Sequence, residues 1–80
     1  MHFTPGDQIL LLAGLHGDAA RRSRIWAHPA LARNRARLGD AGLVVDGRLS
    51  DPAGIAAARS LRHISLDDLI AEHLGGEDAV

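Results

Sequence analysis

The chain has 80 residues, a formal net charge of −1 and no cysteine, so disulfide bonds and thiolate metal sites are excluded. No apolar run approaches the ~18 residues that a membrane-spanning helix requires, and the N-terminus lacks the basic and then apolar order of a signal peptide. We therefore expect one cytoplasmic domain over residues 1–76, followed by a frayed tail over 77–80.

The charges are distributed unevenly along the chain, although their sum is close to zero. All nine basic residues are arginine, a bias typical of GC-rich prokaryotic or phage genomes. Six of them lie within residues 19–37, which contain no acidic residue, whereas residues 67–80 contain five acidic residues and no arginine. Such a chain can present a basic face to a polyanion, although arginine-rich helix faces are also common as solvated surface.

The first predicted helix has apolar residues around nearly its whole circumference. Thr4 and Asp7, at its start, have the spacing of a capping box. A helix that is apolar all round is either buried in a core or shared with a second copy of the chain. Because an 80-residue monomer has few ways to surround such a helix, we expect a homodimer through Ile9, Leu12 and the helix 65–74.

A second helix is predicted from Ala19 to about Ala27, with Asp18 as its cap. We expect Trp26, the only tryptophan, in the core because it has the largest apolar surface to bury. The alternative is that its ring contacts a base or fills a pocket on a partner. Pro29 ends this helix, because proline cannot continue the backbone hydrogen bonds.

A third helix is predicted from Pro29 to about Ala41, and it carries the arginines of greatest interest. Its periodicity directs Leu31 and Leu38 towards the core. The residues that point away from the core are Ala32, Arg33, Ala36, Arg37 and Asp40. Small residues between outward arginines let a helix lie close to another surface, so this narrow basic face suits a groove in DNA.

Asp46-Gly47 predicts a β-hairpin, because it lies between short apolar runs and both residues tolerate the positive φ of a type I′ turn. The cross-strand pairs that follow are Val44 with Leu49 and Val45 with Arg48. A helix is then predicted over 52–62, capped by Ser50 or Asp51. An amphipathic helix over 65–74, capped by Ser65, completes the chain.

This order of elements resembles a winged helix-turn-helix domain, most closely that of the MarR and PadR types of bacterial regulator. In these proteins a recognition helix ends in Leu-x-x-x-Gly-Leu-Val, and the return strand of the wing leads into Leu-Thr-x-x-Gly. The matching segments are LGDAGLV at 38–44 and LSDPAG at 49–54, with Ser50 where threonine is usual. The resemblance, which covers roughly residues 31–60, implies a mainly α fold of about five helices with a short two-stranded β-hairpin as the wing.

The resemblance also implies roles for individual residues. The third helix would enter the major groove, where Arg33 and Arg37 would donate bidentately to guanine, and Asn34 would read adenine if it turns outward. The residues implied to hold phosphates, which set register without reading sequence, are Arg48, Arg21, Arg22 and Arg24.

Other chemistries have weaker support in the sequence. The five histidines form no recognised ligand motif, and the serines have the positions of helix and cap residues. We therefore expect no metal, no cofactor and no enzymatic activity. The predicted function is a small regulator of transcription that binds double-stranded DNA. The alternative is a protein-interaction module on the same scaffold, such as a small phage-encoded inhibitor similar to an anti-CRISPR protein.

Overall fold

The computed structural model describes residues 2–16 and 18–76, so the predicted tail 77–80 lies outside the described residues. Within them the chain is mainly helical and carries one two-stranded antiparallel hairpin, which confirms the predicted fold class. The elements are α1 (Pro5–His16), α2 (Ala19–Trp26), a 3-10 turn (Pro29–Leu31), α3 (Ala32–Asp40), β1 (Val44–Val45), β2 (Arg48–Leu49), α4 (Ala53–Ser60) and α5 (Leu66–His73).

Helix α1 starts with the predicted capping box, and both of its hydrogen bonds are present. The backbone N–H of Thr4 donates to Oδ2 of Asp7 at 3.1 Å, and the backbone N–H of Asp7 donates to Oγ1 of Thr4 at 3.4 Å. These bonds satisfy two donors that the first turn of a helix leaves without partners. The Asp7 side chain is 0% exposed, so this cap lies inside the protein.

All the other elements are arranged around α1. Its five consecutive apolar residues from Ile9 to Ala13 are each at most 1% exposed. Helices α2, α3, α4 and α5 and strand β2 all pack against it. A single chain therefore covers this apolar part of the helix completely.

The predicted dimer contact is wrong for this reason. The side chains of Ile9 and Leu12 are 0% exposed within one chain and cannot meet a second copy. The apolar face of α5, formed by Leu66, Leu69 and Ile70, is also buried in the same core. Several short helices cover an apolar helix as well as a second subunit would.

Trp26 lies in the core, as predicted, where α2 ends. Its indole Nε1 donates to the carbonyl oxygen of Leu10 at 3.0 Å, so the buried N–H has a partner. The guanidinium of Arg35 donates to the carbonyl oxygens of Trp26 and His28. Arg35 thereby satisfies acceptors that the end of α2 would leave unpaired. The predicted third helix is divided, because the chain from Pro29 forms a 3-10 turn before α3 begins at Ala32.

The hairpin has the predicted turn and the predicted register. Asp46 and Gly47 have φ values of 52° and 74°, as a type I′ turn requires. Val44 pairs with Leu49, and the next pair joins Val45 to Arg48. The caps predicted for α2 and α5 are also present, since Asp18 and Ser65 each accept a hydrogen bond from the backbone three residues on.

Ser50 connects the base of the hairpin to α4. Its hydroxyl donates to the carbonyl oxygen of Gly42 at 2.6 Å and accepts from the N–H of Gly54 at 2.9 Å. Its own N–H donates to the carbonyl oxygen of Leu43 at 2.9 Å. The N-cap position of α4 is Pro52, which has no side-chain capping bond, so neither predicted cap residue, Ser50 or Asp51, occupies it. The Ser50 hydroxyl instead satisfies a first-turn N–H of α4 from outside the helix, and it fixes where α4 begins relative to the wing.

Gly54 and Gly39 give a matched test of this junction. A Cβ on Gly54 would overlap the carbonyl oxygen of Leu43, whereas a Cβ on the exposed Gly39 would meet only the carbonyl oxygen of Val44, at 4.0 Å. We expect Gly54→Ala to lower the free energy of unfolding by about 1–3 kcal/mol. Gly39→Ala should raise it by about 0.5–1 kcal/mol, because alanine is the better helix former. Urea denaturation of both variants measures this; equal effects would contradict the packing of the junction.

Candidate nucleic-acid interface

The outer face of α3 has the predicted orientation. Ala32, Arg33, Ala36 and Asp40 are all exposed, and the Arg37 side chain is 46% exposed. The opposite face buries Leu38 completely. The helix therefore presents small and basic residues to solvent, as its periodicity predicts.

Arg37 is nevertheless engaged within the chain, which corrects the prediction that its guanidinium is free for DNA. Its Nη2 lies 3.4 Å from Oδ2 of Asp7, a carboxylate with no solvent exposure. A buried carboxylate needs a counter-ion, because removing an unpaired charge from water is costly. Arg37 supplies that counter-ion from its partly exposed position, so part of its charge is already neutralised.

Asn34 points inward, so the outward orientation on which its predicted contact with adenine depends is not present. Its Nδ2 donates to Oδ1 of Asp7 at 2.9 Å and to Oγ1 of Thr4 at 3.0 Å. The amide lies over Gly6, where any Cβ would come within about 2.5–2.6 Å of it. Asn34 therefore holds α3 against the start of α1.

The arginines predicted to contact phosphates have different surroundings. Arg21 forms an ion pair with Asp67 of α5, and the exposed Arg24 also interacts within the chain. Arg22 and Arg48, from α2 and β2, instead line one open cleft. The structure therefore brings together two of these four side chains and directs the others elsewhere.

This cleft, which we call the arginine cleft, has a volume of about 490 Å³. It is lined by the three arginines Arg22, Arg48 and Arg59, by the three aliphatic side chains Leu15, Leu49 and Ile55, and by Gly14. Strand β2 packs on α1 and α4, whereas β1 packs on α3. The hairpin thus separates the cleft from α3.

Arg59 was absent from the residues singled out in the sequence. Its spacing of four from Ile55 places both side chains on the same face of α4, and that spacing was the available signal. The arginines of the third helix, by contrast, are close together in sequence and so are recognisable as a group. The cleft combines arginines that are distant in sequence, and only the packing of α4 beside β2 brings Arg59 into it.

A smaller cavity of about 220 Å³ lies between α3 and the wing. It is lined by Leu10, Trp26, Arg35, Gly39, Val44 and Gly47. Trp26 is 9% exposed and its Nε1 is bonded to the main chain, so its ring has little surface for stacking on a base.

Neither a metal cluster nor a membrane-spanning helix is present in residues 2–16 and 18–76. No group of three histidine, aspartate or glutamate side chains in these ranges is placed to hold a metal ion. No helix there has the length and apolar character needed to cross a membrane.

The pair Arg37 and Arg33 tests the role of Asp7, because both are exposed arginines on the same helix. Arg37→Ala would leave the buried Asp7 carboxylate without its counter-ion, so we expect the free energy of unfolding to fall by about 1–2 kcal/mol. The loss is smaller than for a fully buried ion pair because solvent screens the partly exposed Arg37. Arg33→Ala should change it by less than about 0.5 kcal/mol. Thermal and urea denaturation would measure both; equal stability of the two variants would contradict the role of Asp7.

Comparisons with protein-family models, with curated proteins and with solved structures found no match to this chain. The resemblance to MarR and PadR regulators therefore depends on the two segments 38–44 and 49–54. The second segment has three residues between Ser50 and Gly54, where the family pattern has two. What the protein binds must accordingly be inferred from the geometry and charge of its own surface.

Proposed function

We propose that this chain is a small DNA-binding regulator of transcription that acts in a prokaryotic or phage-infected cytoplasm. The single observation that carries the proposal is the exposed face of α3, with Arg33 between small residues, next to a hairpin whose second strand carries Arg48. A helix of this kind fits the major groove of DNA, and a wing beside it contacts the backbone. The resemblance to winged helix-turn-helix regulators supports the same arrangement.

The distribution of charge also supports this function. Arg33 is exposed and is the residue of α3 best placed to donate bidentately to guanine. Arg22 and Arg48 supply charge for phosphates on the other side of the hairpin. The acidic α5 is tied to α2 by the pair of Asp67 with Arg21 and gives the molecule a face that DNA would repel.

The internal contacts of α3 limit how much sequence it reads. Asn34 is engaged by Asp7 and Thr4, and Arg37 shares its guanidinium with Asp7. Arg33 is left as the main base-reading side chain, and one bidentate contact contributes about 1–3 kcal/mol of discrimination. We therefore expect modest sequence preference and strong dependence on salt.

Titration of labelled mixed-sequence duplexes by fluorescence anisotropy tests the function. Affinity should fall steeply between low and physiological salt, with a log–log slope of about −0.9 for each phosphate neutralised. Arg48→Ala should make that slope shallower by about 0.9. Arg33→Ala should weaken binding to the preferred duplex by about 5- to 150-fold.

Arg62→Ala is the matched control, because it removes the same charge from an exposed position after the end of α4. It should leave both the affinity and the slope nearly unchanged. Absence of binding at low salt would end the proposal. An equal effect of Arg62→Ala and Arg48→Ala would show that binding follows net charge rather than the wing.

A second candidate function is a protein-interaction module, such as a small phage-encoded inhibitor similar to an anti-CRISPR protein. The observation that favours it is the engagement of Asn34 and Arg37, which leaves few side chains on α3 to read bases. Exposed arginines bind acidic surfaces on proteins as readily as phosphates. A tagged chain that retains one stoichiometric protein after nuclease treatment, and loses it when Arg33 is replaced by alanine, would favour this function over DNA binding.

A further inference from the structure

The arginine cleft has the composition of a site for a small molecule. Its volume of about 490 Å³ lies within the range of about 300–1,000 Å³ that is usual for ligand sites. Three arginines and three aliphatic residues line it. We propose that the arginine cleft binds a small amphipathic anion, with its phosphate or carboxylate head among the arginines and its aliphatic body against Leu15, Leu49 and Ile55.

The positive charge of the three arginines favours an anion as the ligand of the cleft. Arg22, Arg48 and Arg59 come from three different elements, α2, β2 and α4, and converge on one volume. No acidic side chain among the described residues lines the cleft, and none of these three guanidiniums has an ion-pair partner within residues 2–16 and 18–76. Like charges gathered in this way repel each other until an anion joins them. Guanidinium groups bind carboxylates and phosphates through paired hydrogen bonds.

The aliphatic residues of the cleft favour an anion that also carries an apolar group. Leu15, Leu49 and Ile55 are only half-buried, so each leaves apolar surface in contact with water. Bringing an aliphatic chain onto this surface is favourable because it removes apolar area from water. No aromatic ring lines the cleft among the described residues, which favours an aliphatic body over a stacked planar one.

A duplex DNA backbone fits this cleft less well than a small amphiphile. Phosphates of a duplex lie on a polar ridge with sugars, which would leave the three aliphatic side chains uncovered. A single small anion can satisfy the arginines and cover the apolar walls together. This inference goes beyond the proposed function, but the two share Arg22 and Arg48, so the ligand would compete with DNA for these arginines.

Binding can be measured with octyl phosphate as the probe, with octanoate as the carboxylate arm. Inorganic phosphate and octanol serve as head-only and tail-only comparisons. Trp26, the only tryptophan, reports binding by fluorescence, since a Cβ on the cleft residue Gly14 would lie 3.1 Å from its Cζ2 atom. Below its micelle concentration, octyl phosphate or octanoate should bind at least about tenfold more tightly than either comparison. The tighter of the two probes identifies the head that the cleft prefers.

Charge-reversed variants decide whether the cleft is the site. Arg59→Glu and Arg22→Glu should each weaken binding of the tighter probe by at least about tenfold, because a charged hydrogen bond is lost and a repulsion is introduced. Arg62→Glu, which reverses an exposed arginine outside the cleft, should change it less than twofold. Melting by circular dichroism confirms that the variants are folded, and Arg59→Ala replaces Arg59→Glu if that variant is unfolded.

The outcomes separate this proposal from the DNA-binding one. Equal affinity for inorganic phosphate and octyl phosphate, or an unchanged affinity in Arg59→Glu, would overturn the amphiphile site. If neither probe binds and Arg59→Glu weakens duplex binding, the cleft belongs to the DNA surface; the amphiphile site then falls while DNA binding stands. If a probe binds as expected and no duplex binds at low salt, the amphiphile site stands without the regulator.

Discussion

The burial of α1 is the constraint on which the remainder of the structure depends. Its residues from Ile9 to Ala13 offer no polar face, so every side of the helix has to be covered by other elements. Four helices and β2 provide that cover. Because each of them turns its apolar side inward to α1, its polar side is directed to solvent. The positions of the arginines on the surface follow from this arrangement.

The carboxylate of Asp7 is buried as well, and it is held by hydrogen bonds and an ion pair. One oxygen accepts from Thr4 in the cap of α1, and the other accepts from Asn34 of α3. Arg37 adds the balancing charge. A hydrogen-bonded buried charge of this kind is stable only with its whole set of partners. It therefore fixes α3 relative to the start of α1, and it does so with Asn34 and Arg37, two residues that the sequence predicts to contact bases.

The sequence was most informative where structure depends on neighbouring residues. The type I′ turn at Asp46-Gly47, its register and the caps at Asp18 and Ser65 were all predictable, because turn and cap chemistry acts within about four residues. The third helix was phased correctly but not divided correctly, since the 3-10 turn at Pro29–Leu31 has no distinct sequence signal. Local sequence signals therefore predict the secondary-structure elements. They do not predict how these elements pack against one another.

The errors concern contacts between residues that are far apart in the chain. Asn34 and Arg37 meet Asp7 across about 30 residues of sequence, a separation that the periodicity within the third helix does not report. Arg59 joins Arg22 through the packing of α4, which no spacing in the sequence encodes. The predicted dimer contact through Ile9 and Leu12 is wrong because short helices of the same chain cover both side chains. Each of these features depends on tertiary packing.

The double role of Asp7 has a consequence for the recognition role proposed for α3. Residue 37 cannot lose its positive charge without a cost in stability, because its partner at residue 7 lies in the first turn of another helix and is buried from water. Relatives of this chain with a different residue at 37 should therefore carry a compensating neutral residue at 7, so that the two positions covary. New specificity is more easily acquired at Ala32, Arg33 and Ala36, where substitution leaves the interior untouched.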